Sequence, residues 1–388
     1  MSKIVEPSDY HFSDDLLGST DTMLNLSWVH GYRSQDCRNT LRYSSSGGVI
    51  FTAAALGVCY DKSRDVQRFQ QGTHTDDILC LSIHPDGNYC ATGEVGDMPK
   101  IVVWDCSTMD TKAVLVGFHK RGVSTCAFNH DGSLLLSVGL DDYNSVAIYN
   151  WEQERVIATA VVSSTKVMAA CFVGSKEFDN ERVLLGGKQF LKFFKVQGDS
   201  CVCQNGVFNN NTVTTQKDFF CMNAVPVGPP QHGYTVTTGV RGEVLLWDGF
   251  KCRKECHSVL SGKFRHTESV DCLWAGEERA QGVAKYRVVT GDKGGTIAVW
   301  DFVMSGKEMD RGCLVLNKVL RLSDVRQYLP NIVISDVGVR SVCMMNDALL
   351  IGTAGSEIFE ITLSQALDYK EAIGRDGEKC VKHADAER

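Results

Sequence analysis

Three clusters in the sequence hold side chains whose types and spacing could do chemistry. The densest is "GYRSQDCRNTLRY" (31–43), where Arg33, Asp36, Cys37 and Arg38 stand within six residues. Two guanidinium groups around one carboxylate suit a buried or half-buried charged network, because the planar arginine fork donates in pairs to carboxylates and to strand carbonyls. The other two clusters are "CVC" (Cys201, Cys203) and "CRKECH" (Cys252, Cys256, His257). A zinc site wants paired ligand pairs, and neither cluster has a matching second half nearby, so no metal is predicted. Of the sixteen cysteines, Cys80, Cys126, Cys171, Cys272 and Cys343 lie inside apolar runs, where cysteine acts as a small hydrophobe. Catalytic patterns are missing: there is no phosphate loop, no nucleophile elbow and no His-Glu-x-x-His helix. "GDKGGT" (291–296) lacks a following lysine and reads as a hairpin turn, and Asp86 and Asp131 stand in "PDG" and "HDG" turns that they cap. The expectation is a non-enzyme without a cofactor.

The elements that must position these residues show themselves as a repeat. Apolar runs end alike at Tyr60, Trp104, Tyr149, Phe194, Trp247, Trp300 and, more weakly, Phe359, with spacings of 44, 45, 45, 53, 53 and 59. The longer spacings contain polar or Gly/Pro inserts, as at 226–233 and 275–286, which read as surface loops. Within a unit, "DDILCLSIH", "NYCATGE", "KIVVWD" and "KAVLVG" are short runs rich in β-branched and aromatic residues, separated by Gly/Asp/Asn turns. Four antiparallel strands per unit of this length is a propeller blade. The predicted fold is all-β, a seven-bladed WD-repeat-type β-propeller.

Composition agrees and narrows the function. With 43% hydrophobic and 22% charged residues the chain can bury a sizeable core. A formal charge of −7 disfavours broad attraction to nucleic acid or anionic lipid. The polar opening has no apolar h-region, and the most apolar window (47–60) is too short to span a bilayer. A cytosolic protein with reduced thiols is expected. The division expected is 1–20, a flexible N-terminal segment; 21–60, the opening motif with the first blade's strands; 61–363, the remaining blades; and 364–388, a polar tail.

The repeats resemble the WD-repeat family: "GTH" (72–74) stands where that family carries Gly-His, and Trp-Asp recurs at 104–105, 247–248 and 300–301. The resemblance implies a structural network in which His74, His119 and His266 join a hydroxyl, an acid and the tryptophans Trp104, Trp247 and Trp300. Arg241 and Gly294 stand at the family's Asp position in two blades, so the set is expected to be incomplete there.

Residues 24–60 resemble the hydrophobic motif of the echinoderm microtubule-associated protein-like family, which immediately precedes its WD repeats. The match rests on Trp28, Gly31, Tyr32, Arg33, Asp36, Cys37, Arg38 and Asn39, with Ser34 where the family usually has glycine. A strand over 24–29 is expected, packed against the propeller or closing it by supplying the last blade's missing strand. In the family this motif packs at the junction of two propellers, so a second propeller from another chain is a candidate partner. The resemblance implies a non-catalytic, cytoskeletal, microtubule-associated protein that binds tubulin or microtubule-bound partners, with cilium or spindle as settings. A general WD-repeat scaffold without tubulin affinity is the alternative. Family members that oligomerise lean on a coiled coil and a basic linker ahead of the motif, and residues 1–23 show neither. The candidate basic contact face is Lys251, Arg253, Lys254, Lys263 and Arg265.

Overall fold

The structure, a computed structural model, describes residues 25–364 apart from 163–164, 174–181, 198–199, 209–218, 230–232, 256–263, 281–282, 306–310 and 325–333. Two units are distinguished, Met1–His30 and Gly31–Arg388. In the first, residues 25–30 form no strand, which corrects the expectation of a strand over 24–29. Six residues with a Ser, a His and a Trp among them do not alternate cleanly enough to specify one sheet face.

The second unit is a succession of antiparallel meanders. Blade 1 is β1 (Leu41–Tyr43), β2 (Val49–Ala53), β3 (Leu56–Asp61) and β4 (Val66–Gln70); blade 2 is β5 (Ile78–Ile83), β6 (Tyr89–Gly96), β7 (Ile101–Asp105) and β8 (Thr111–Leu115). Blade 3 is β9 (Arg121–Phe128), β10 (Leu134–Gly139), β11 (Ser145–Asn150) and β12 (Arg155–Val161), joined to blade 2 by a short β6–β9 pairing. Blade 4 is β13 (Val167–Val173), β14 (Arg182–Gly187), β15 (Phe190–Gln197) and β16 (Ser200–Asn205), and blade 5 is β17 (Cys221–Pro226), β18 (Tyr234–Gly239), β19 (Val244–Asp248) and β20 (Lys251–Glu255). Blade 6 is β21 (Val270–Ala280), β22 (Val283–Asp292), β23 (Thr296–Ser305) and β24 (Arg311–Arg321). Blade 7 has three strands among the described residues, β25 (Val339–Met345), β26 (Ala348–Thr353) and β27 (Ile358–Thr362). All seven aromatic repeat positions fall on the third strand of a blade, from Tyr60 on β3 to Phe359 on β27.

Burial explains why the ring holds. Hydrophobic clusters sit between each blade and the next, and the one that joins the last blade to the first contains Tyr32, Leu41 and Phe51 with Cys343 and Leu350. Each fully buried side chain of this size contributes about 1.5–3 kcal/mol relative to exposure. Side-chain packing therefore joins the last blade to the first, and the described residues 25–30 form no strand. The tight turns carry their own constraint. Gly132, in "HDG", has φ +82°, and a Cβ there would lie 1.7 Å from His84 Nε2. His84 is itself held edge-on to Tyr89, Phe128 and Trp151. Gly132→Ala is thus expected to cost at least about 2 kcal/mol, read as a lower urea midpoint at unchanged slope.

One irregularity recurs in the innermost strands. In blades 2 to 7 the pairing of the first and second strands skips one residue near the start of the first strand: Leu79, Ser124, Met168, Met222, Asp271 and Arg340. A bulge re-aims the extra residue. Leu79, Ser124, Met168 and Met222 line the central cavity, of about 760 Å³, while the last two positions carry an acid and a base.

Candidate functional site at the channel rim

The opening motif runs along this ring of bulges. Gly31 has φ +72°, and the chain then crosses to blade 7: Tyr32, buried, donates its hydroxyl to Thr353 O at 2.9 Å, and Ser34 Oγ donates to Ala354 O at 2.9 Å. The serine that replaces the usual glycine thus has a partner on the blade it fastens. Arg33 grips Asp36 with Nε and Nη2 at 2.8 and 2.7 Å and reaches Asp77, ahead of β5, at 2.5 Å. The guanidinium bonds hold the Asp36 carboxyl below its ordinary range. Burial pushes the Cys37 thiol up to about 12, so it is a packed hydrophobe rather than a nucleophile.

Arg38 does not share Asp36 with Arg33, as its proximity in sequence suggested. It turns to Asp271, 3.6 Å away, which Arg340 also approaches at 2.5 Å and Ser269 bonds at 2.6 Å. Asp271 is nearly fully buried, so the acid that the bulge aims inward is the anchor of an Arg–Asp–Arg set. Asn39, at φ +58°, reaches across the channel. Its Nδ2 donates to Asn223 Oδ1 of blade 5 at 2.6 Å, its Oδ1 accepts from Leu273 N of blade 6, and its backbone N–H donates to Arg340 O of blade 7. Thr40 N–H donates to Ser341 Oγ. Residues 32–40 therefore tie blades 1, 2, 5, 6 and 7 together at one end of the channel. Trp28 lies in the other unit, its ring 6.3 Å from that of His30.

The blade networks are likewise internal. His74 sits 2.9 Å from Glu94 and 2.7 Å from Thr92, to which Trp104 Nε1 donates. His266 sits 2.7 Å from Asp292 and 2.8 Å from Thr290, which also receives Trp300 Nε1. Asp292 supplies the acid that the sequence reading missed by placing it at Gly294, two residues along. His119 contacts Ser137 and Ser145, and in blade 5 Trp247 donates to Thr237 while Glu243 receives Arg241 N. With both ring nitrogens engaged, these histidines have no free lone pair for catalysis.

Burial depresses His74, and it lowers His119 to about 4. The folded His119 value lies below the unfolded 6.5, so between about 4 and 6.5 the unfolded chain binds more protons and stability rises with pH. Urea midpoints should fall from pH 7.5 to pH 5, by up to about 2 kcal/mol for this residue. His119→Gln should flatten that part of the profile.

Of the five candidate basic residues, the side chains of Lys251, Arg253 and Arg265 are described. Arg253 is engaged by Asp248, with Nε at 2.7 Å. Lys251 stands over Phe250, after β19, whereas Arg265 donates to Arg241 O in the turn before β19. Lys254 pairs through its backbone with Leu246, and Lys263 lies outside the described residues. Among the described residues no group of three His, Cys, Asp or Glu could hold a metal, and no helix is long and apolar enough to cross a membrane. Cys252 is buried on β20 and Cys203 is exposed, while Cys256 and His257 fall outside the described residues.

Comparison with known proteins places this geometry. The family model described as "Echinoderm microtubule-associated protein first beta-propeller" matches residues 66–361, and the HELP motif matches residues 21–58. Echinoderm microtubule-associated protein-like 1 of Rattus norvegicus is 31% identical over 235 residues, covering 58% of this chain and 28% of the relative. Echinoderm microtubule-associated protein-like 2 of Mus musculus is 29% identical, with 58% and 34% covered. The 77 kDa echinoderm microtubule-associated protein of Strongylocentrotus purpuratus is 28% identical, with 58% and 32% covered. In each case the match spans about a third or less of the relative. Among solved structures, a chain of the mitotic checkpoint complex aligns with a TM-score of 0.57 at 10% identity, over 92% of this chain and 98% of that one. The WD40 repeats of RRP9 align at 0.54 and 14%, over 84% and 89%. Those two likenesses speak for the fold alone. With the family model covering most of the chain and the HELP motif ahead of it, this chain belongs to the echinoderm microtubule-associated protein family, as its first β-propeller.

Proposed function

We propose that this propeller binds tubulin or a microtubule-bound partner and acts, without catalysis, in the organisation of cytoskeletal microtubules, including those of cilia or spindles. The match of residues 66–361 to a microtubule-associated family carries this reading. The site geometry adds a division of labour. Arg33 is engaged by Asp36 and Asp77, Arg38 turns to Asp271, and Asn39 bonds Asn223 and Leu273 N, so the motif acts as a clasp and contact with a partner falls to the blade faces. A charge of −7 opposes long-range attraction to the acidic microtubule surface, which leaves short-range contacts by local cations. Lys251 and Arg265 are exposed candidates for such contacts. Blade 7, three-stranded among the described residues, and the opening motif are where a second propeller, supplied by another chain, would add structure.

Labelled protein applied to surface-held microtubules should decorate the lattice and leave it as salt rises. No decoration at low salt would sink the reading and favour a scaffold without tubulin affinity. Reversal of both cations, Lys251→Glu with Arg265→Glu, should cut bound protein several-fold and flatten the salt slope. Binding and slope that stayed at the parent values would remove these two residues from the contact.

A further inference from the structure

Below the Asn39 bridge the channel widens into the cavity of about 760 Å³, whose lining runs from Asp36–Asn39 at one end of β1 to Ser44 and Ser45 at the other. Its walls are mixed, with Leu79, Leu81, Met168, Met222 and Trp274 providing apolar surface and backbone and side-chain polar groups providing about as much again. Charged residues on this wall are Asp36, Arg38, Asp86, Lys166 and Arg42, of which Arg42 is the central residue of β1. Its Nη1 donates to Leu41 O at 2.9 Å and to Val342 O at 3.2 Å. Guanidinium carries five N–H donors, so the Nε–Nη2 edge, the fork that grips an oxyanion, is left without a protein acceptor.

Nor does Arg42 have a counter-charge. Among the described residues no carboxylate lies within ion-pair distance of it, and the titratable groups that act on it electrostatically are the thiols of Cys343, Cys272 and Cys90. The neighbouring acids are already committed, Asp36 to Arg33 and Asp271 to Arg38 and Arg340. Burial lowers the Arg42 pKa, which is the mark of a charge held at a cost. A cation in such surroundings calls for an anion. A lone chloride would leave most of this volume unfilled.

We infer that the central channel is a binding site for a small organic acid, whose carboxylate is held bidentately by the Nε–Nη2 edge of Arg42 and whose apolar body fills the space against Leu79, Met168, Met222 and Trp274. The site is independent of microtubule binding and is reached from the end of the channel opposite Asn39, where Ser44 and Ser45 stand.

The test is a titration of the full chain with phenylacetate at constant ionic strength, balanced with chloride, followed by thermal midpoint and by saturation-transfer NMR of the ligand. A saturable rise in midpoint is expected, with ring protons of the ligand receiving magnetisation. Loss of a charge-assisted fork should weaken binding by roughly tenfold or more in Arg42→Met, while the unliganded midpoint stays level or rises because an uncompensated charge has gone. Arg42→Gln, which keeps polar volume without charge, serves if the methionine variant fails to fold, and should lose affinity likewise. The inference is overturned if phenylacetate shifts the parent no more than chloride does. It is equally overturned if phosphate binds as tightly as phenylacetate, which would mean a general anion site, or if the Arg42 variants bind phenylacetate with parental affinity.

Discussion

Asp271→Ala is expected to be among the most damaging single changes in the chain, lowering stability by about 3–5 kcal/mol. The carboxylate is almost fully buried and is approached by Arg340, Arg38 and Ser269. Removing it leaves two guanidinium groups facing each other with no acid between them, which is far worse than never having had the set. Urea unfolding would show this as a large drop in midpoint. The diagnostic comparison is the double variant Asp271→Leu with Arg340→Leu. By removing acid and base together it should recover most of the loss. If Asp271→Ala unfolded at the parental midpoint, the Arg–Asp–Arg set would have no part in closing the ring.

Asn39→Ala carries the second large effect, about 3 kcal/mol in total. Its side chain spans the channel between Asn223 and Leu273 N, so both partners lose a bond inside the propeller, at about 1–3 kcal/mol for each group left unpaired. Its backbone is also left-handed, at φ +58°, which asparagine tolerates better than alanine. Asn39→Gly separates the two causes, because glycine accepts the backbone conformation but offers no amide. It should be about 1 kcal/mol more stable than Asn39→Ala and still well below the parent. Equal losses for the two variants would assign the whole effect to the amide. Hydrogen exchange would place the damage in β1 and β25, the strands on either side of the seam.

The fold was largely legible because a propeller writes its period into the third strand of each blade. Tyr60, Trp104, Tyr149, Phe194, Trp247, Trp300 and Phe359 occupy equivalent places, and spacing alone recovers them. The rim was less legible, for three physical reasons. A bulge is a matter of register between two strands, so nothing local marks Asp271 and Arg340 as the residues turned inward. Arg38 has a carboxylate two positions away but pairs with one from blade 6, because the chain direction at 36–39 points the two side chains to different blades. Segment 24–29 is apolar enough to suggest a strand, yet a strand needs a neighbour with free backbone groups as well as a pattern, and the described part forms none. Lys251 and Arg265 are close in sequence but stand near opposite ends of β19. Sequence proximity is a poor guide wherever a strand reverses.

The seam also explains how the last blade is joined to the first. Closing a ring requires that its two ends be held more tightly than the edge strands would like to part. Here the ends are joined by a buried cluster around Tyr32, Leu41 and Leu350 and by the polar ties of Ser34, Asn39 and Thr40. The clasp precedes the blades in sequence, so it can be completed only when β25 and β26 have formed. Folding is therefore expected to finish at this seam, with long-range contacts arriving late.

The measurement that tests the functional reading most directly is co-sedimentation of the purified chain with stabilised microtubules across a salt series. Binding that saturates with microtubule concentration and weakens steadily with salt is predicted, since short-range cationic contacts must overcome an unfavourable net charge. A chain that stays in the supernatant even at low salt, while remaining folded, would contradict the account and return the propeller to the class of adaptors whose partner is something other than the microtubule.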